Sequence, residues 1–194
     1  RNTMDTTSVQ DAEEGGRTEE HAAIKKTRVM IAIDESDASL LALQWAIDHL
    51  FSNKTIGISP AAEMSSELLV VTLVHVQPPF VQYTYPAGPP AFYPPPAYMD
   101  SIRRVQAENS SKLLARASQL CDNHKIKAET LILDGDPKDM ICQATEQMKV
   151  DLLVVGSRGL GMVKRAFLGS VSDYCTHHAK CPVLIVKPPP KEEH

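Results

Sequence analysis

Five short apolar runs, rich in β-branched residues, divide the chain: "RVMIAID" (28–34), "ELLVVTLVHV" (67–76), "AETLILD" (128–134), "DLLVVG" (151–156) and "PVLIVK" (182–187). Their length and continuous apolar character predict buried strands. Between them the hydrophobic period changes from two to that of a helix. Leu40, Leu43, Ile47 and Leu50 recur at helical spacing after the capping cluster Asp34-Glu35-Ser36-Asp37, which predicts an amphipathic helix over 38–51. Ile102, Val105, Leu113, Ala117 and Leu120 predict a second helix over 102–120. Gly135-Asp136-Pro137 supplies a turn, an N-cap and a proline at the first helical position, and that helix runs to about Met148. Ser170 reads as the cap of a fourth helix, with Asp173 as a short capping-box partner.

The resulting order is βαβαβαβαβ, and strands apolar on both faces belong in a parallel sheet covered on both sides. The predicted fold is therefore α/β: a doubly wound, five-stranded parallel sheet with strand order 3-2-1-4-5 and helices on both faces. Such sheets bind ligands beyond the carboxyl ends of their strands, at the switch point. Two loops leave those ends with usable chemistry, 34–37 after the first strand and 156–169 after the fourth.

Composition narrows the function classes. The formal net charge of −4 over 194 residues, with no Lys/Arg-rich run, leaves no electrostatic footprint for nucleic acid. No apolar run approaches the ~20 residues that span a bilayer, so no membrane role is expected. Met4 reads as the natural start, with Arg1-Asn2-Thr3 ahead of it, and no signal-peptide pattern follows. A cytoplasmic protein is expected, with the nucleus as the second option. Cys121, Cys142, Cys175 and Cys181 form no CxxC pair and read as reduced, buried thiols. The cluster Cys175–Cys181 adds His177 and His178, but a helix would turn Cys175 and His177 to different faces. No metal ligands are assigned.

Two segments fall outside the alternation. Residues 1–26 are polar and acidic and read as a disordered tail, and 188–194 as a short C-terminal tail. Residues 78–98, "PPFVQYTYPAGPPAFYPPPAY", hold eight of the fourteen prolines and six of the ten Phe, Tyr and Trp residues. That composition favours polyproline II and argues against a helix or central strand. A surface loop, a lid or a partner-binding strip would all suit it, and Pro95-Pro96-Ala97-Tyr98 has the form that WW domains read.

The chemistry concentrates in "VGSRGLGMVKRAFLGSVSD" (155–173). A Walker A loop needs Lys-Ser/Thr after its second glycine, whereas Gly161 is followed by Met162-Val163. The dinucleotide fingerprint begins with Gly159-Leu160-Gly161 but meets Lys164 where its third glycine belongs. A different spacing fits: Gly156-x2-Gly159-x9-Gly169-Ser170. Glycine at the strand tip allows close backbone approach to a ribose, and Gly159 allows the same beside phosphates. Gly169-Ser170 then opens a helix, whose free N–H groups and positive dipole end attract anions. The Ser170 and Ser172 hydroxyls would donate, and Arg158, Lys164 and Arg165 supply positive charge. Turn and cap chemistry alone would explain any one of these glycines, but not the whole set beside a basic excursion.

On that spacing, together with "MIAIDESDASLLALQWA", "LVVTLVHV" and "CPVLIVK", the chain over roughly 27–187 resembles the universal stress protein (UspA-like) family, and specifically its ATP-binding branch. The resemblance implies a Rossmann-like domain of the adenine nucleotide alpha hydrolase type that binds ATP or AMP, with any Mg²⁺ held through the phosphates. It implies a homodimer joined through the last strand, 182–187, and Asp34 as a nucleoside contact with Ala32 alongside. Val76 would meet the adenine through its backbone. Val155, Gly156, Arg158 and Gly159 would line ribose and phosphate, and Gly169, Ser170, Val171 and Ser172 would close over the phosphates. Capping of the following helix is the competing role for Asp34. His75 reads as a satisfied polar residue and Trp45 as helix packing. The long 78–98 insertion departs from compact members and has a plant-like look.

Three functions then compete: a nucleotide-dependent regulatory protein, a slow ATPase or phosphotransferase, and a dimeric scaffold without nucleotide. Phosphoryl transfer needs a held metal and an oriented nucleophile, and no carboxylate or base in 156–170 offers either. The regulatory binder is favoured, with hydrolysis absent or very slow.

Overall fold

A computed structural model describes residues 26–51, 69–78, 96–157 and 168–189. Both terminal tails for the most part, the loop with Gly57 and Pro60, nearly all of the 78–98 insertion and the basic excursion with Arg158 and Gly159 lie outside the described residues.

The sheet has the predicted order. Strand β1 (Thr27–Ala32) pairs in parallel with β2 (Leu69–Gln77) on one side and β4 (Leu152–Gly156) on the other. Beyond them, β3 (Ala128–Asp134) joins β2 and β5 (Val183–Val186) joins β4, giving β3-β2-β1-β4-β5. Alternation along the strands divides the core in two. Val29, Ile31, Val71, Leu73, Val154 and Val186 pack beneath α1 (Asp37–Ala46) and α2 (Pro96–Asn123). Met30, Val74, Val76, Leu153 and Val155 pack beneath α3 (Pro137–Gln147) and α4 (Ser170–His178). Each fully buried aliphatic side chain contributes about 1.5–3 kcal/mol relative to exposure, so the two-sided burial of β1, β2 and β4 dominates the stability of the domain. The outer strand β3 is different: Leu131 and Leu133 reach the core, while Ile132 is 39% exposed. It is apolar in sequence but buried on one face.

Several boundaries move from their expected places. Regular β1 pairing ends at Ala32, although Ile33 stays buried and donates its N–H to the Val74 carbonyl at 2.8 Å. The first helix is α-helical only to Ala46 and continues through Ile47–Phe51 as a π turn. The wider turn rotates later residues off the buried stripe, so Leu40, Leu43 and Ile47 meet the core but Leu50 is 39% exposed. Helix α3 begins as expected: Gly135 turns with φ +145° and the Asp136 carboxylate accepts from the Lys138 N–H at 2.9 Å.

The largest correction concerns α2. It starts at Pro96 rather than 102 and ends at Asn123, so Pro96-Ala97-Tyr98, placed in the non-helical insertion, is helical. Proline is tolerated in a first turn because the missing N–H has no intrahelical acceptor there. The buried stripe also differs: it is Ser110, Leu114, Ala117 and Cys121, whereas Val105 is 56% exposed. At 28 residues the helix is about 42 Å long, against about 30 Å for the nine-residue β2. Gln77 Nε2 donates to Ser110 Oγ at 2.8 Å and Gln106 Nε2 to the Pro78 carbonyl at 3.1 Å. These bonds align Gln106 with the end of β2, so the first turns of α2 run beyond the sheet and meet none of its core among the described residues.

Candidate functional site

The carboxyl ends of β1 and β4 lie side by side, since Ile31 is in register with Val154. From β1 the chain leaves through Asp34-Glu35-Ser36 into α1. One Asp34 carboxylate oxygen accepts from the Ser36 N–H at 3.1 Å and also from the Ser36 hydroxyl. Ser36 is the N-cap and accepts from the Ser39 N–H at 3.4 Å. Ser39 Oγ lies 2.8 Å from the Asp34 carbonyl and 3.2 Å from the Asp34 N–H, which donates to it. Asp34 therefore does not cap α1 itself. It fixes the residue that does, and its second carboxylate oxygen has no partner among the described residues. Asp34 is half-buried.

From β4 the chain leaves through Gly156 and Ser157. A Cβ on Gly156 would stand 2.7 Å from the Ala38 carbonyl oxygen and 3.1 Å from the Ser39 nitrogen. Both are backbone atoms in the first turn of α1. The glycine thus lets that turn settle against the tip of β4, a structural demand not anticipated from the spacing alone. Ser157 completes the sheet edge by donating its N–H to the Val186 carbonyl at 2.8 Å.

The chain returns to the same point. The Gly169 N–H donates to the Ser157 carbonyl at 2.8 Å, which closes the loop whose ends are Ser157 and Gly169. Helix α4 starts at Ser170 with Gly169 as N-cap and no side-chain cap among the described residues. The expectation that Ser170 caps this helix is corrected: Ser170 is its first residue and its side chain is exposed. Ser172 is buried, and its Oγ lies 2.9 Å from the Gly169 carbonyl and 3.3 Å from the Ser157 carbonyl. Its single proton holds the loop closed, so the hydroxyl is not a free donor. Among the described residues, the backbone N–H groups of the first turn of α4 have no side-chain cap.

The remaining predicted residues line the same sheet end. Ala32, Val76, Val155 and Val171 share the core layer beneath α3 and α4, with Val76 and Val155 buried. The structure thus brings Ala32, Asp34, Val76, Val155, Gly156, Gly169, Ser170, Val171 and Ser172 to one end of the sheet. Arg158 and Gly159 fall outside the described residues. His75 is buried, and its Nδ1 lies 2.8 Å from the Ile33 carbonyl. A carbonyl only accepts, so Nδ1 carries the proton and the ring is a tie between β2 and β1, as a satisfied polar residue should be. Trp45 packs at the edge of the core and stacks on His49 with ring centroids 4.6 Å apart.

Cys175 is buried and His177 exposed, on opposite faces of α4 as its helical spacing requires. Among the described residues no three His, Cys, Asp or Glu side chains are grouped to hold a metal ion, and no helix is long and apolar enough to cross a membrane. The Ser157 contribution was missed from sequence, whereas Ser36 was among the residues expected to be available to cap the first helix and does so. Ser157 carries no motif signal because its backbone does the work.

These features define a class: a doubly wound α/β domain with two helix N-termini converging on neighbouring strand tips, one sealed by side chains and one left to backbone donors. Residues 26–187 match the universal stress protein family. The chain belongs to that family. It is 34% identical over 180 residues to universal stress protein PHOS34 of Arabidopsis thaliana, covering 84% of this chain and 63% of that one. It is 31% identical over 170 residues to a universal stress protein A-like protein of the same organism, covering 83% and 90%. Among solved structures, a universal stress protein family protein from Arabidopsis thaliana with AMP bound superposes with a TM-score of 0.54 at 27% identity, covering 86% and 94%. A UspA from Lactobacillus plantarum gives a TM-score of 0.61 at 20% identity, covering 84% and 98%, and bears on the fold alone.

Proposed function

We infer that this chain is a stress-response regulatory protein that binds an adenine nucleotide, ATP or AMP, across the carboxyl ends of β1 and β4. One observation carries the reading: Gly169 N–H to Ser157 carbonyl, 2.8 Å, which delivers the uncapped start of α4 to the tip of β4. An uncapped N-terminus presents backbone donors and a positive dipole end to anionic oxygens. The related Arabidopsis protein with AMP bound gives the anion an adenosine.

In this reading the free oxygen of Asp34 accepts from the ribose hydroxyls, with Ala32 alongside. The Val76 backbone meets the adenine edge. Val155, Gly156, Arg158 and Gly159 follow ribose and phosphate, while Gly169, Ser170, Val171 and Ser172 close over the phosphates. Ser172 acts there through its N–H, because its hydroxyl is engaged. Mg²⁺, where ATP is the ligand, is held through the phosphates. The role is binding rather than turnover, since the Asp34 carboxylate is given to the ribose in this reading and no carboxylate or base occurs in 156–170. The half-buried Val183, Leu184 and Ile185 of the outer strand β5 favour pairing with a second copy of this chain. The 78–98 segment is the place for a protein partner, and the cytoplasm or nucleus is the setting.

Isothermal titration with AMP and ATP tests the reading. A micromolar dissociation constant, a free energy of about −8 kcal/mol, is expected. No heat and no thermal shift with either nucleotide would sink it. Rapid ATP turnover abolished by replacing one acidic residue would instead favour the phosphotransferase.

A further inference from the structure

Three of the four cysteines gather on the face opposite α1 and α2. Cys142 lies on α3, Cys175 on α4 and Cys181 on the turn into β5, all packed in one core layer. Cys142 and Cys175 stand 33 residues apart in sequence, with their sulfurs 3.9 Å apart. Cys175 is fully buried, whereas Cys142 is only partly buried. Cys181 sits against Thr145 and the Leu153 backbone, near enough to Cys142 and Cys175 to interact with both electrostatically, but the only direct sulfur contact among the three is that of Cys142 with Cys175. Cys121 is alone in the other core layer.

We propose that Cys142 and Cys175 form an oxidation site, in which a hydroperoxide converts the pair to a disulfide that staples α3 to α4. The Cys142 thiolate attacks one peroxide oxygen; the S–O bond forms, the O–O bond breaks and hydroxide leaves. The Cys175 sulfur then attacks the Cys142 sulfenic acid. The S–S bond forms, the S–O bond breaks, and the departing hydroxide leaves with the Cys175 proton as water. Two thiols lose two electrons and the hydroperoxide is reduced by two.

The geometry assigns the order. The attacking sulfur must meet the oxidant, and of the two cysteines Cys142 is the less buried. The resolving sulfur must be in place before the sulfenic acid is oxidised further, and Cys175 already touches it. A disulfide needs the sulfurs at about 2.05 Å, a closure that rotation about the cysteine side-chain bonds supplies. Burial pushes both thiols upward, Cys175 to about 12, while contact with Cys175 pulls Cys142 partly back. The attacking form is scarce at neutral pH, so the site responds to sustained oxidant and reacts faster as pH rises. The staple also fixes Cys175 three residues from Ser172, which holds the loop between β4 and α4. The site does not depend on the nucleotide reading.

The test is hydrogen peroxide treatment of the reduced full-length chain, followed by alkylation and tryptic mass spectrometry without reductant. Trypsin separates the three cysteines, placing Cys142 in 139–149, Cys175 in 166–180 and Cys181 beyond Lys180. The expected product is peptide 139–149 joined to 166–180 within one chain, with free thiols falling from four to two and recovering with dithiothreitol. Its rate of formation should climb with pH, and the oxidised protein should melt several degrees higher. Cys121→Ser should behave as wild type. Cys142→Ser, a near-isosteric change at a half-buried position, should keep its circular dichroism spectrum and lose the joined peptide. Four unchanged thiols after prolonged treatment would overturn the proposal. So would joining to the Cys181 peptide, crosslinks between chains, or sulfinic and sulfonic acids as the only products.

Discussion

The tips of β1 and β4 both hand the chain to a helix N-terminus, yet the two are finished in opposite ways. At β1 the first turn of α1 is sealed from within: the Ser36 hydroxyl takes the Ser39 N–H, the Asp34 carboxylate holds Ser36, and Ser39 Oγ bridges the Asp34 backbone. At β4 the cap is Gly169, which has no side chain to offer, and loop closure falls to the Ser157 carbonyl. A helix start needs partners for its first N–H groups. One that supplies its own serves as scaffolding; one that does not leaves backbone donors for the anion of the proposed ligand. In the proposed reading the difference leaves structure to α1 and recognition to α4, although both sequences carry a serine cluster.

The harshest way to break this comparison is to disturb the point where the two tips touch. Gly156→Val places a branched side chain against the Ala38 backbone, where even one Cβ would stand at 2.7 Å. Overpacking costs typically 1–3 kcal/mol. Because backbone rather than a flexible side chain must yield, about 3 kcal/mol is expected, read as a lower urea midpoint at unchanged slope. A fall in nucleotide affinity should accompany it. Normal stability would mean that the first turn of α1 moves freely, and the scaffold role assigned to it would be wrong.

Gly169→Asp addresses the open end alone. The Gly169 backbone (φ −65°, ψ 153°) is extended and suits any residue, and aspartate is a preferred N-cap. Its carboxylate would take the first-turn N–H groups and set a negative charge where phosphate should lie. Stability should rise by a few tenths of a kcal/mol, while AMP affinity drops about tenfold, a loss of about 1.4 kcal/mol. Calorimetry and chemical denaturation on one preparation read both. Opposite signs are the signature of a donor end reserved for an anion; equal AMP binding would remove that assignment.

Much of this arrangement was legible in the sequence, for physical reasons that differ by residue. Strands β1, β2 and β4 are central and buried on both faces, so the composition of the runs that predicted them was enough to reveal them. The return of the chain at Gly169 was legible because glycine spacing follows loop geometry. What stayed hidden depends on length and neighbours. The apolar spacing through Ile102 and Val105 is real, but α2 outruns the sheet there, so Val105 meets solvent and Ser110 is buried instead. The π turn at Ile47–Phe51 left no mark in the pattern, and Leu50 drifted off its stripe. Gly156 was read as room for a ligand, and Ala38 is what stands closest among the described residues. A sequence shows that a close approach occurs, not what approaches.

The sealed tip should answer to a milder change. Ser36→Ala removes the acceptor for the Ser39 N–H and the hydroxyl held by Asp34, an N-cap loss of about 1 kcal/mol. AMP affinity should change less than in Gly169→Asp, because α1 serves the site indirectly. A larger binding loss than stability loss would place Ser36 among the ligand contacts and erase the contrast between the tips.

The smallest effect should come from the body of α4. Its N-terminus is open, but Tyr174 holds the helix laterally: its hydroxyl donates to the Asp139 carboxylate at 2.9 Å and its ring stacks on His178 at 3.8 Å. The bond sits at the surface, where water competes for both groups, so Tyr174→Phe should leave the urea midpoint and AMP affinity unmoved within error. The same bond still leaves a spectroscopic trace. Ionising the phenol would break it and set two negative charges together, so the hydrogen bond to Asp139 raises Tyr174 above the usual tyrosine value. In an ultraviolet titration, the difference between wild type and Tyr174→Phe should report one tyrosine ionising above pH 10, the ordinary value. A midpoint at or below that value would show that the Asp139 bond does not persist in solution. Helix α4 would then be held by its buried face alone, and its open N-terminus would be freer to move than that of α1.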